Sequence, residues 1–457
     1  MNTGFGYLSD VQISPSDIKT LQINFLRSHA CGVGDPIRPS VVKGMMLTKV
    51  HQFLMGNSGV SVELVKHILK FIELDLIPYT PRQGSVGASG DLAPLSHIGL
   101  ALIGEGYFLQ ENTKVSASEV LKEHGIKPIS LRAKEGLSLA NGTHYMAVSA
   151  ALLLEQCRKL IQASEVVAAL SLDAFRGSMA AFDERVHVAR NQTGQMKTAE
   201  NIRKIFASGP DEIMDSHKNC GKIQDPYSYR CFAQVAGSAR DALRFCEDII
   251  NRELNSATDN PLMFENLDFI SGGNFHGQPI AMALDFLAIA MAEIGNISER
   301  RIEKLTIPHL SGLPAFLVKK NEGLNSGFMI AHYTASSLVA DNKLHAQPAS
   351  VDSIPTSANK EDHVSMGPNS VHQLERLLAN LKNILSIEAL AACQGIDLLA
   401  PLKPNPALQS AYEVVRKVSA TLEDDRSLSE EIELLGRQIQ EGQLVDAMTM
   451  LDLGDEF

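Results

Sequence analysis

Hydrophobic residues recur with helical spacing over much of the second half of the chain. From Leu374 they fall at Leu377, Leu378, Leu381, Ile384 and Leu385, the i, i+3, i+4, i+7 rhythm of one helix face. Similar patterning predicts long helices over 150–172, 233–254 and 279–305. Several of these are apolar on more than one face and rich in alanine, as helices buried in a bundle or between subunits are. The N-terminal third reads differently: short helical stretches, such as 61–76, are separated by glycine and proline. Strand-like alternation is sparse. We therefore expect a mainly α fold. A smaller N-terminal domain over 1–135 would carry a glycine-rich loop, and a long-helix bundle domain would cover 136–457.

Composition narrows the picture. With 457 residues, 44% of them hydrophobic, the chain can bury a large core. A formal charge of -12 with no basic stretch argues against a nucleic-acid partner. The six cysteines (Cys31, Cys157, Cys220, Cys231, Cys246 and Cys393) are scattered, with no C-x-x-C pair. That pattern suits reduced thiols in a cytosol better than a disulfide framework or a zinc site. No basic-then-apolar leader opens the sequence. The apolar run over 280–294 is broken by Asp285 and Glu293 and reads as too short and too charged to span a bilayer. The expectation is a soluble cytoplasmic protein without a membrane partner.

Chemistry concentrates between Thr80 and His97, where Gly84, Gly87 and Gly90 stand three residues apart. Such glycine density allows backbone angles that other residues resist. A plain surface loop is the simplest account. A nucleophile elbow would need G-x-S-x-G after a strand, but Ser89-Gly90 is followed by Asp91 and no clear strand precedes it. A phosphate loop would need Gly-Lys-Ser/Thr, which is missing. The whole stretch G-S-V-G-A-S-G-D-L-A-P-L-S-H, residues 84–97, resembles the signature of the aromatic amino acid and histidine ammonia-lyases. In that family the Ala-Ser-Gly tripeptide, here Ala88-Ser89-Gly90, cyclises autocatalytically with loss of two waters. The product is 4-methylidene-imidazol-5-one, an electrophile whose exocyclic carbon comes from the serine. Each residue type suits that chemistry: Gly90 lets the backbone bend, Ala88 keeps the other flank small, and Ser89 supplies a hydroxyl that can leave.

Further segments match the family in order. They are Asn2-Thr3-Gly4-Phe5-Gly6, Asn141-Gly142-Thr143, Gln224 to Cys231 (Q-D-P-Y-S-Y-R-C), Gly272 to His276, Asn325 to Met329, and Thr356 to Met366 (T-S-A-N-K-E-D-H-V-S-M). Taken singly these are unremarkable. Tyr227 and Arg230 would share a helix face as i, i+3 neighbours, Asn141 could cap a helix, Phe275 could be core, and Glu361 and Asp362 could be solvated charges.

Together, the resemblance implies roles. Ala88, Ser89 and Gly90 form the prosthetic group. Arg230 holds the substrate carboxylate with its forked, permanently charged guanidinium. Asn141, Gln224 and Tyr227 line the group and orient carboxylate and amine, and Phe275 shields the reaction from water. Ser28-His29 resembles the histidine lyases at the position that sorts substrates. Glu361 points the same way, because a carboxylate can pair an imidazole N–H that a phenyl ring lacks. The implied reaction is elimination of ammonia from L-histidine to trans-urocanate; tyrosine or phenylalanine ammonia-lyases and 2,3-aminomutases are the alternatives, as is a non-catalytic homologue. Tyr229, Phe232 and Ala233 depart from the Leu, Gln and Pro expected of histidine lyases. The family's usual base, a tyrosine just before N-T-G-F-G, would lie upstream of Met1, together with a leading segment on the order of fifty residues by family analogy. Losing such a base typically costs roughly 10²–10⁴-fold. A homotetramer is implied, and no metal or soluble cofactor, since neither H-E-x-x-H nor a dinucleotide fingerprint occurs.

Overall fold

The computed structural model describes the whole chain except residues 1, 2, 5, 220–222, 449, 450, 452 and 454–457. Asn2 and Phe5 of the N-T-G-F-G segment, and Cys220, lie outside the described residues. The fold is mainly α: helices carry most of the chain, and among the described residues the strands form three two-stranded antiparallel pairs.

The chain divides into two compact units. The first gathers Met1–Leu152, Glu247–Asp285 and Pro348–His372; the second gathers Leu153–Cys246, Phe286–Gln347 and Gln373–Phe457. A single boundary near residue 135 does not describe this division. Four helices, His144–Ala174, Phe232–Leu254, Gln278–Thr306 and Gly367–Leu398, each begin in one unit and end in the other. Sequence punctuation marks where helices stop, not where a continuous helix changes neighbours.

In the first unit, Val62–Glu73 shows how local sequence builds an element. Ser61 caps its start by accepting a hydrogen bond from the Leu64 N–H, and Leu64, Ile68 and Phe71 line its buried face. Pro39–Leu54 starts on proline and buries Val42, Met45, Met46 and Phe53. A strand Val33–Pro36 pairs with Pro81–Gln83, immediately before the glycine-rich loop, and the helix Leu92–Leu102 follows the loop directly. A strand therefore does precede Ser89, contrary to the sequence expectation. It is three residues long and carries no alternating pattern to announce it.

In the second unit, Leu374, Leu377, Leu378, Leu381, Ile384 and Leu385 are all buried, as their spacing requires. Two arginine–glutamate pairs are buried as well. Arg240 binds Glu165 through two hydrogen bonds of 2.8 Å, and Arg301 binds Glu388, which also accepts from Ser298. Helix Gln278–Thr306 is 29 residues long and by length and composition could cross a membrane, so shortness alone does not exclude a span. Two-thirds of its most apolar window (67%) is buried within the protein, and Asp285 accepts a 2.9 Å hydrogen bond from the Ser350 N–H. Core packing accounts for its composition.

Candidate active site

The loop after Pro81–Gln83 turns back on itself. Gly84, Gly87 and Gly90 take φ of +140°, +79° and +77°, and Ser89, with a side chain, takes +51°. L-residues enter this left-handed region at a cost of about 1–3 kcal/mol, which persists only where the surroundings enforce it. Here they do. The Gly90 N–H reaches the Gly87 carbonyl at 3.3 Å. Ser85 Oγ accepts from the Gly87 N–H (3.1 Å) and donates to the Gly90 carbonyl (3.2 Å). A Cβ on Gly90 would sit 2.1 Å from the Gly142 carbonyl oxygen, so only glycine fits. The Gly142 N–H donates to the Ser89 carbonyl (3.2 Å), and the Asp91 N–H donates to the Gly142 carbonyl (2.8 Å).

Asn141 ends the helix Glu135–Ala140 instead of capping the start of one. Its amide donates to Asp259 Oδ1 and to the Asn260 carbonyl, both at 3.1 Å. Asp259 is also paired with Lys134 at 2.7 Å, and Lys49 donates to the Asn141 carbonyl at 2.6 Å. Asp91 accepts from the Tyr145 and Met146 N–H groups, at 2.8 and 3.1 Å, in the first turn of His144–Ala174, where the helix dipole favours an anion. Burial nevertheless pushes its carboxyl up to about 7, against those N–H groups and Lys49. Burial likewise pushes Lys49 down to about 7, with Asp259 opposing. Sequence reading missed Asp91, Lys49, Lys134 and Asp259. For Lys49 a signal exists: it occupies the apolar stripe of its helix, in step with Val42, Met45, Met46 and Phe53.

The T-S-A-N-K-E-D-H-V-S-M segment meets this loop in the same unit. The Met366 N–H donates to the Val86 carbonyl (2.9 Å), and a Cβ on Gly87 would lie 2.1 Å from Ser365 Oγ. Farther along the segment, Thr356 and Glu361 exchange backbone hydrogen bonds around Ser357, Ala358 and Asn359, all at positive φ, and Thr356 Oγ1 donates to Glu361 Oε2 at 2.7 Å. Gly6 packs against Ser357. His29 sits at the end of Ile18–His29 with its Nδ1 on the Phe25 carbonyl (2.8 Å) and near Ser28 Oγ (2.9 Å). Burial lowers its pKa, while the Phe25 carbonyl and the Glu361 carboxylate work against that; His29 and Glu361 are thus within electrostatic reach. Phe275 is half-buried, and its neighbour His276 reaches the His363 carbonyl at 3.1 Å.

Gln224, Tyr227 and Arg230 belong to the second unit. Tyr227–Arg230 is a single helical turn, and the Arg230 guanidinium carbon lies 4.7 Å over the Tyr227 ring, the shared face that i, i+3 spacing predicts. Gln224 is exposed. Arg230 Nε is buried with no hydrogen-bond partner among the described residues. The departures at Tyr229, Phe232 and Ala233 fall on buried positions. Tyr229 stacks on Phe175 at 4.2 Å, and Arg301 lies over Phe232 at 4.8 Å. Those three side chains are packing residues, so their identities carry little information about substrate.

Comparison with known proteins points to one family. The family model for aromatic amino acid lyases matches residues 1–417. Histidine ammonia-lyase of Koribacter versatilis is 47% identical over 461 residues, covering 98% of this chain and 89% of that protein. The crystal structure of histidine ammonia-lyase from Trypanosoma cruzi superposes with a TM-score of 0.89 at 40% identity, covering 98% of this chain and 84% of that one. Tyrosine aminomutase from Streptomyces globisporus superposes with a TM-score of 0.92 at 37% identity, over 98% of this chain and 88% of that one. A clamped Ala-Ser-Gly turn, and a match running through nearly the whole chain, place this protein in the aromatic amino acid lyase family.

Proposed function

We propose that this protein is a histidine ammonia-lyase, releasing ammonia from L-histidine to give trans-urocanate. The carrying observation is the Ser89-Gly90 turn, held left-handed against Gly142 with no room for a side chain at position 90. That geometry fits a ring closed between the Gly90 nitrogen and the Ala88 carbonyl carbon, because the backbone is already bent where the ring would form. The methylidene-imidazolone made from Ala88, Ser89 and Gly90 would supply an electrophilic carbon for the substrate amine.

The remaining work falls to side chains. Arg230, with its unpaired Nε–H, is suited to hold the substrate carboxylate, and Tyr227 beneath it fixes the guanidinium plane. Asn141 and Gln224 would orient the carboxylate and amine, and Phe275 would exclude water. On the imidazole side, Glu361 can accept a ring N–H. His29, kept neutral by burial and donating Nδ1–H to the Phe25 carbonyl, leaves Nε2 as an acceptor. A phenyl or phenol ring would leave part of this set unpaired, at about 1–3 kcal/mol per unmade bond.

A second reading, ammonia-lyase or 2,3-aminomutase on tyrosine, is favoured by the superposition on the Streptomyces globisporus enzyme. The higher identity to histidine lyases ranks it lower. We further propose a cytoplasmic homotetramer. Phe245, Phe286 and Ile289 are exposed together in the second unit, and association would cover them.

Intact mass and ultraviolet spectra test the proposal. Purified protein should weigh two waters less than its sequence and convert histidine to urocanate. Coumarate or cinnamate formed while histidine is untouched would favour the second reading. A full, undiminished mass would remove the prosthetic group, and sedimentation as a monomer would remove the tetramer.

A further inference from the structure

Lys49 has no place in the chemistry above, yet it is 3% exposed in the middle of an apolar helix face. Burying an ammonium is costly unless it is paired and hydrogen-bonded. Its nitrogen donates to two carbonyls at the end of Glu135–Ala140, Ser138 at 3.1 Å and Asn141 at 2.6 Å. Carbonyls there lack intrahelical partners and sit at the negative end of the helix. The Asn141 carbonyl belongs to the same planar peptide as the Gly142 N–H, and that N–H donates to the Ser89 carbonyl at 3.2 Å. Lys49 therefore grips one edge of a rigid plane whose other edge holds the prospective ring. Donors on the carbonyl also polarise the peptide and strengthen its N–H as a donor.

We propose that Lys49 is a positioning residue for dehydration at Ser89, acting through the Asn141–Gly142 peptide on the Ser89 carbonyl. This rests on the proposed conversion of Ala88-Ser89-Gly90. In that conversion the Gly90 nitrogen bonds to the Ala88 carbon, whose oxygen leaves as the first water with the amide protons of Ser89 and Gly90. The second water takes the Ser89 hydroxyl and the Ser89 α-proton. The Cα–H pair becomes the Cα=Cβ bond as the Cβ–O bond breaks, and a base relays the proton to the departing oxygen. Charge builds on the Ser89 carbonyl oxygen while the α-proton leaves, at the atom the Gly142 N–H faces. Preorganised donors aimed at developing charge are effective because they need not reorient.

Lys49→Met keeps the length of the stem and removes the donors. Intact mass, followed over time after a pulse of expression, reads the fraction of chains that have lost both waters. In Lys49→Met protein that melts cooperatively, the second water should be lost roughly 10-fold more slowly or worse. Lys49→Arg, which restores donors, should recover part of the rate. Phe71→Leu, a core variant of the same unit whose ring packs on Phe108 and His67, should lose melting temperature without losing the mass deficit. Folded Lys49→Met protein reaching the full deficit at the wild-type rate would overturn the proposal. So would failure of both Lys49 variants to fold, which would make the residue structural only. A wild-type chain lacking the deficit would instead sink the proposed function, so the two failures are distinguishable.

Discussion

Ser89 and Gly90 occupy backbone conformations that are set partly by their own chemistry and partly by Gly142, far along the chain. Three spaced glycines made a bent loop legible in the sequence, and all three do take positive φ. What the sequence did not reveal is the partner, the Gly142 carbonyl, which leaves no space at position 90. Gly90→Ala should therefore do more than lose glycine's freedom. Strain of about 1–3 kcal/mol in the left-handed region adds to a clash with backbone that cannot step aside. We expect a lower melting temperature and a reduced fraction of chains lacking two waters, read by calorimetry and intact mass. A Gly90→Ala protein with wild-type values of both would contradict the clamp. The buried charges around this turn, Asp91, Lys134 and Asp259, were illegible because burial belongs to the packed molecule and not to the residue.

Helices are the scale at which sequence served best. The 233–254 and 279–305 expectations correspond to Phe232–Leu254 and Gln278–Thr306, and 61–76 to Val62–Glu73 behind a serine cap. The 150–172 expectation fell short at its start, because His144–Ala174 begins six residues earlier, with H-Y-M-A-V-S. Less legible was how helices hold one another. No sequence pattern pairs Arg301 with Glu388, yet both are fully buried together. Removing one partner strands the other at a position with no solvent exposure. Glu388→Ala should destabilise the protein by about 3–5 kcal/mol, seen as a lower denaturant midpoint. Replacing the pair together by apolar residues should cost much less. An unshifted midpoint in the single variant would show that water reaches Arg301.

At the scale of the whole molecule, stability carries a pH signature that no single element announces. Asp173, near the end of His144–Ala174, is buried beside Asp211, and burial together with that neighbour raises its pKa well above the ordinary 3.8. Asp211 is committed as an acceptor to Asn405 and the Met214 N–H, so the proton resides on Asp173. The folded chain then keeps a proton that the unfolded chain releases. Its contribution to stability is fully present below the unfolded-state pKa and is lost as pH rises through the folded-state value. Asp173→Asn cannot lose it. The melting temperature of the variant relative to wild type should climb as pH rises above the ordinary carboxylate range; a constant difference would mean Asp173 ionises freely in the fold.

By itself the chain determined its helical class, the place of its long helices and the bent Ala88-Ser89-Gly90 segment, since periodicity and glycine spacing act over a few residues. The family motifs pointed to Asn141, Arg230 and Glu361 as well. Only the tertiary structure decided that Gly142 closes on Ser89, that Lys49 stands behind that contact, and that three separate stretches build each compact unit. Those outcomes depend on which surfaces meet across long sequence separations, and no local pattern of hydrophobicity encodes a meeting of that kind.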